Sequence, residues 1–225
     1  MSDSRSRAGV PSGAVQGAVH SAFWPLLLLG MFTLVFIALG IAPKTREDWL
    51  LENLIVFATV AWLLWGWRRM RLSLAAYVLL FVFGVFHEIG SHYQYSDVPY
   101  DSVFMALTGG SLDALFGFER NQYDRFVHFL YGLLLTPVAA EILVARVPMR
   151  GFWRFLLPVT FMMSHALIYE LVEWAAASVF GGELADAYLG TQGDIWDAQK
   201  DMALATLGSL LVHPLWMWRH PAPAH

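Results

Sequence analysis

The chain has 225 residues, 57% of them apolar and only 14% charged, with a formal net charge of −4 at pH 7. Soluble domains carry about a quarter charged residues, so this deficit points to a surface facing hydrocarbon, and the mildly negative balance offers no footing for a nucleic-acid partner. The absence of cysteine excludes a disulfide framework, a thiolate metal site and a cysteine nucleophile.

Residues 1–20 are rich in Ser, Gly and Ala, carry Arg5 and Arg7, and lack apolar periodicity. They read as a disordered cytoplasmic N-terminus, and 21–220 as a single transmembrane helical domain. The apolar run 23–41 is longer than the core of a cleaved signal peptide, so it is expected to remain as a first helix. Five further runs follow at 50–67, 72–88, 125–145, 152–176 and 199–218. Each is long enough, or nearly so, to cross a bilayer. Pro25, Pro137, Pro158 and Pro214 are tolerable where neighbouring helices satisfy freed carbonyls. The expected fold class is all-α, a polytopic membrane helical bundle of about six transmembrane helices.

Lys and Arg set the expected orientation. Arg5, Arg7, Arg68, Arg69, Arg71, Arg146, Arg150, Arg154 and Arg219 fall on one side of this topology, with Lys44, Arg46, Arg120, Arg125 and Lys200 on the other. The richer side is cytoplasmic, which places both termini there. Inner connections are then tight, whereas the outer segments 89–124 and 179–198 read as long loops. Long loops in a compact protein commonly serve as binding elements.

Of eighteen acids, only Asp3 and Glu141 fall in the cytoplasmic half. Outer-loop acids merely complete the positive-inside pattern, but ionisable groups within apolar helices are costly and commonly mark a site. The third helix ends with His87, Glu88 and His92, the last two sharing a face if the helix continues. The fourth opens with Asp124, Arg125 and His128; the fifth carries His165, Tyr169, Glu170 and Glu173 towards its outer end. Asp194, Asp197 and Asp201 fall at i, i+3, i+7 and form one stripe at the start of the sixth. Antiparallel succession puts all four sets at one depth. Nitrogen and oxygen donors without sulfur suit Zn, Mn, Fe or Mg/Ca, and a cation would relieve repulsion among the carboxylates.

Each residue also has a plain structural reading. His128 and His165 could be core histidines bonded to backbone carbonyls. Asp194 and Asp197 suit a helix cap and first turn, and Asp124 could cap the fourth helix. Glu141 lies near the inner interface, placed to snorkel or to pair with Arg146. Thr108-Gly109-Gly110 and Phe180-Gly181-Gly182 read as turns, and no Walker, nucleophile-elbow or HExxH motif occurs.

The stretches HEIGSHYQYSDVPYD (87–101), NQYDRFVHFLYG (121–132), YELVEW (169–174) and LGTQGDIWDAQKDM (189–202) together resemble the YjdF-type family of bacterial inner-membrane proteins. That likeness covers most of the chain and implies a multi-pass protein of the inner membrane; the family is a domain of unknown function and implies no activity. The C-terminal half also resembles VanZ-like membrane proteins. Arg125 with His128, Glu170 with Glu173, and Asp197 with Asp201 match that pattern, with acids where its glutamine and asparagine would stand. The substitutions make the site more negative.

The expected site therefore comprises His87, Glu88, His92, Asp124, His128, Glu170, Glu173, Asp194, Asp197 and Asp201 around a divalent metal ion. Arg125 would hold an anionic substrate group such as a lipid phosphate. The partners are membrane lipids, and the reaction would be hydrolysis or transfer at a head group. A non-enzymatic transporter or ligand-binding protein using the same acids, and a purely structural polar network, are the alternatives.

Overall fold

In the computed structural model, which describes residues 18–19, 21–182 and 189–221, the chain is all-helical apart from an isolated bridge between Ala18 and Ser73. Most of the N-terminal segment 1–20, and part of the outer segment 179–198, lie outside the described residues. Eight helices are described. Six are long: α1 (Phe23–Leu39), α2 (Arg46–Gly66), α3 (Leu74–Tyr93), α6 (Tyr123–Arg146), α7 (Trp153–Phe180) and α8 (Asp197–Arg219). Two short ones, α4 (Tyr100–Thr108) and α5 (Leu112–Phe116), lie between α3 and α6.

Four helices, α2, α3, α6 and α7, are long and apolar enough to cross a membrane, and α1 is a shorter apolar helix. Large apolar side chains stand exposed on every long helix, with Leu34, Leu54, Trp153, Leu171 and Leu215 among them. The buried positions, by contrast, include many polar groups. This inversion of the soluble pattern suits a bundle whose solvent is lipid.

The ends of these helices have local causes. Ser73 caps α3, its hydroxyl accepting from the Ala76 amide at 3.1 Å. The Ser73 amide and hydroxyl in turn donate to Glu141, at 2.5 and 2.7 Å, so Glu141 pairs with this cap rather than with Arg146. The third helix runs beyond its expected end, through His87, Glu88 and His92, and closes at Gln94 in the left-handed region. The segment 89–124, read from sequence as a loop, therefore contains the last turn of α3 together with α4 and α5. Ser111 caps α5, and Asp101 accepts from the Ser111 hydroxyl and the Asp113 amide, which folds the two short helices into a hairpin. Gly109 ends α4 at a φ of +78°, where a side chain would be strained.

Helix α6 is the hub, packing against α3, α7 and α8, with its largest interface on α8. At that crossing, a Cβ on Gly132 would collide with the Ala205 carbonyl, and one on Gly208 with the Phe129 carbonyl. The Thr136 hydroxyl donates to Ser209 Oγ at 2.8 Å across the same seam, both residues fully buried. Small residues allow backbone approach where lipid supplies no hydrophobic drive between helices. Overpacking a tight contact costs about 1–3 kcal/mol. Gly132→Val and Gly208→Val are thus expected to lower the thermal unfolding midpoint in detergent, whereas Gly30→Val, with open space around it, leaves the midpoint near wild type.

Candidate functional site

The antiparallel order brings the starts of α2, α6 and α8 and the ends of α3 and α7 to one end of the bundle. There, four helices and the segment after α3 contribute buried polar side chains. The first two turns of α2 supply Asp48 and Glu52, both almost fully buried. Helix α6 supplies Asp124, Arg125 and His128, α7 supplies Tyr169, Glu170 and Glu173, and α8 supplies Asp197 and Asp201.

The centre is a carboxylate–histidine cluster. One donor atom each from Asp124, His128 and Asp201 lie within 4.8 Å of one another. His128 Nε2 stands 3.5 Å from Asp124 Oδ1 and 3.6 Å from Glu170 Oε1. Glu170 Oε1 and Asp201 Oδ1 are buried without a hydrogen-bond partner. Buried polar atoms are satisfied in the great majority of cases, so these two oxygens are exceptions that call for a partner. Beside the cluster lies a cavity of about 10 Å³, room for one water-sized occupant, lined by Asp48, Glu52, Gln94, Tyr95, Asp124, Glu173 and Gly190. Tyr169 donates to Glu52 at 2.8 Å, linking α7 to α2.

A basic rim closes the cluster from outside. Arg120 holds both oxygens of Asp197, at 2.5 and 3.2 Å, and donates to the Thr191 and Gly190 carbonyls. Arg125 pairs with Asp194 and with Asp197, the latter at 3.1 Å, and also donates to Gln122. Lys200 forms a second pair with Asp194. The three acids of the α8 stripe therefore divide: Asp194 and Asp197 are neutralised by cations, whereas Asp201 faces the histidine. Among the described residues, no Lys or Arg makes an ion pair with Asp48, Glu52, Asp124, Glu170, Glu173 or Asp201. Carboxylates confined this closely repel one another and coexist only where cations or protons balance their charge.

The remaining expected site residues lie elsewhere. His87 and Glu88 sit buried where α3 meets α2, with the Tyr95 hydroxyl 2.6 Å from His87 Nδ1 and the Glu88 carboxyl facing Asn53 and Trp49 of α2. Gly90 makes this possible, because a Cβ there would overlap the Tyr95 ring that folds back over it. Burial holds the Tyr95 phenol well above its usual range, so it stays a protonated hydroxyl. His92 is drawn away from both groups, its Nδ1 donating to the Leu39 carbonyl at the end of α1 at 2.7 Å. His165 donates to the Phe161 carbonyl, as considered from sequence, but it is exposed and is not a core histidine. Asp194 does not cap α8, which starts after Trp196 without a side-chain cap; its Oδ1 accepts from the Trp196 amide in the turn before the helix. Nor does Asp124 cap α6: the Asn121 side chain accepts from the Tyr123 amide at the start of α6, and Asp124 turns into the cluster.

Asp48, Glu52 and Arg120 were absent from the expected site. The α2 pair carried a legible signal, two acids at i, i+4 opening an apolar helix, but the helix was expected to begin at residue 50, after Asp48. Arg120 gave no comparable signal, because its partners lie on α8 and in the turn before it.

An all-helical bundle with an apolar perimeter and an acidic pocket sunk into one end defines a polytopic membrane protein. The chain matches the model of a family described as predicted membrane protein (DUF2238) over residues 24–222, and it belongs to that family. It is 38% identical over 180 residues to the inner membrane protein YjdF of Escherichia coli (strain K12), covering 79% of this chain and 81% of that protein. No solved structure matches.

The rim predicts an asymmetry in stability. Arg120 and Asp197 are largely buried, at 12% and 4% side-chain exposure, whereas Lys44 and Asp97 form an exposed pair at 49% each. Breaking a buried pair costs about 3–5 kcal/mol, and an exposed pair contributes about 0–1 kcal/mol. Thermal unfolding in detergent should fall clearly for Arg120→Gln and hardly at all for Lys44→Gln. Lys200, the Trp196 amide and Arg125 hold Asp194 below the usual carboxylate range. Its stabilising contribution is therefore complete above the ordinary value of 3.8 and fades only as pH drops through the lower folded-state value. Asp194→Asn should lower stability near neutrality and flatten the acid limb of the unfolding profile, so that variant and wild type converge at low pH.

Proposed function

We propose that this chain is an inner-membrane protein that binds a divalent cation at Asp124, His128 and Asp201, with Glu170 completing the set. The observation carrying this reading is three ligand atoms within 4.8 Å, joined by the unpartnered buried oxygens of Glu170 and Asp201. An imidazole with carboxylates and no sulfur suits Zn, Mn or Fe. The Lys and Arg distribution supports an outward-facing site, and the similarity to the E. coli inner membrane protein supports that membrane.

In this reading the cation polarises the phosphate of a lipid head group for hydrolysis or transfer. Arg125 is the residue to hold the anionic group, exchanging its contact with Asp194 for the phosphate. The rim position of Arg125, on the first turn of a helix that enters the bilayer, supports a substrate lying at head-group depth.

A cation binder or transporter is the second reading, since the same donors would serve it. The tight Gly132–Ala205 and Gly208–Phe129 contacts close the α6–α8 seam beneath the cluster, which favours a blind pocket over a conduit.

Protein purified after growth with Mn²⁺ or Zn²⁺ and then stripped of loose metal is expected to retain the ion. His128→Ala and Asp201→Asn should each lower the metal content by about one ion per chain while keeping a wild-type elution profile. Metal-free wild type would end the cation reading. Metal-dependent release of phosphate or head group from phospholipid vesicles, lost in Asp201→Asn, would separate catalysis from binding, and cation flux without turnover would favour the second reading.

A further inference from the structure

The cavity beside the histidine cluster faces α2 and is lined by further donors. Asp48 and Glu52 from α2, Asp124 from α6 and Glu173 from α7 line the cavity of about 10 Å³. Asp48 is 2% exposed, and its Oδ1 lacks a hydrogen-bond partner. Gln94 and Tyr95 complete the wall with a neutral amide and a neutral hydroxyl. Four carboxylates face a space the size of one water molecule, and no Lys or Arg among the described residues forms an ion pair with them.

We propose that this chamber is a second cation subsite, made of oxygen donors alone, so that the pocket is a two-cation centre with Asp124 common to both subsites. The inference rests on the cation reading of Asp124, His128 and Asp201 and adds to it. The two subsites differ in chemistry. The first has an imidazole and a close donor set, whereas the second offers only oxygens spread around a cavity. Hard cations such as Mg²⁺, Ca²⁺ or Mn²⁺ take oxygen ligands and retain water, which suits the wider arrangement. Glu52 is held in place by the Tyr169 hydroxyl on α7, one residue before Glu170 of the first subsite, so one turn of α7 orients donors for both. Paired cations clamp the attacking and leaving oxygens of a phosphoryl group in in-line displacement. The substrate class that such a centre fits is a phosphate ester or diphosphate presented at the membrane surface.

Mn²⁺ is the probe, because it accepts both donor sets. Equilibrium dialysis of detergent-purified protein against Mn²⁺, read by metal analysis and by electron paramagnetic resonance, should give about two ions per chain with a spin-coupled signal, as a shared carboxylate requires. Asp48→Asn with Glu52→Gln should retain about one ion and lose the coupling, because the amides preserve volume and the Glu52→Gln side chain still accepts from Tyr169. His128→Ala should also retain about one ion, now in the oxygen-only subsite. Thermal unfolding of each variant in excess EDTA identifies any loss that is only a folding defect, and for such a variant Asp48→Asn alone gives the decisive stoichiometry. One uncoupled ion in wild type, unchanged by Asp48→Asn, would overturn the second subsite and leave the first intact. No ion in wild type would overturn both, and would mean that protons balance the carboxylates.

Discussion

The site depends on how closely α6 and α8 approach. Gly132 and Gly208 carry no Cβ, and each lies against backbone of the opposing helix. One turn from the Gly132–Ala205 contact, towards the site, stand His128 on α6 and Asp201 on α8; another turn on stand Asp124 and Asp197. A helical turn rises about 5.4 Å, so side chains directly above a backbone contact are necessarily within reach of one another. The seam that holds the bundle together therefore also assembles the cluster. Thr136 and Ser209, bonded on the far side of the contact, fix its register.

Charge at this end of the bundle is partitioned rather than pooled. Arg120, Arg125 and Lys200 satisfy Asp194 and Asp197, and Arg120 also ties down the turn at Gly190 and Thr191. The acids deeper in are left to one another, to His128 and to Tyr169. Buried charge is tolerable when it is paired, and a group left without a partner carries its full desolvation cost. An outer layer of ion pairs thus lies over an inner layer of carboxylates that have no Lys or Arg ion-pair partner among the described residues. Asp124 belongs both to the close donor set around His128 and to the carboxylate-lined cavity beside it.

His87 and Glu88 illustrate a different use of polarity. They lie on an apolar helix and make no ion pair among the described residues; they sit beside α2, and Tyr95, which folds over Gly90, bonds His87 and lines the carboxylate cavity. The sequence marked them as costly and so as informative. Their direction on the α3 surface depended on which neighbour that face met, and that neighbour was α2. His92 parted from Glu88 for the same reason, since the end of α1 presents a carbonyl to it.

By itself the sequence determined the helical membrane bundle, the segments that form its six long helices and the end at which ionisable groups gather. Those properties follow from composition, hydropathy and the alternation of direction, all of which are local or additive along the chain. It also singled out Asp124, His128, Glu170 and Asp201, since ionisable groups in apolar helices stand out wherever the helices go. Tertiary structure alone decided that these belong with Asp48 and Glu52, that Asp194 and Asp197 serve the arginines, and that His92 and His165 serve backbone carbonyls. Partner choice depends on the rotation of each helix and its distance from the next. Those are set by small residues at the crossings, and periodicity does not say which helix each crossing meets.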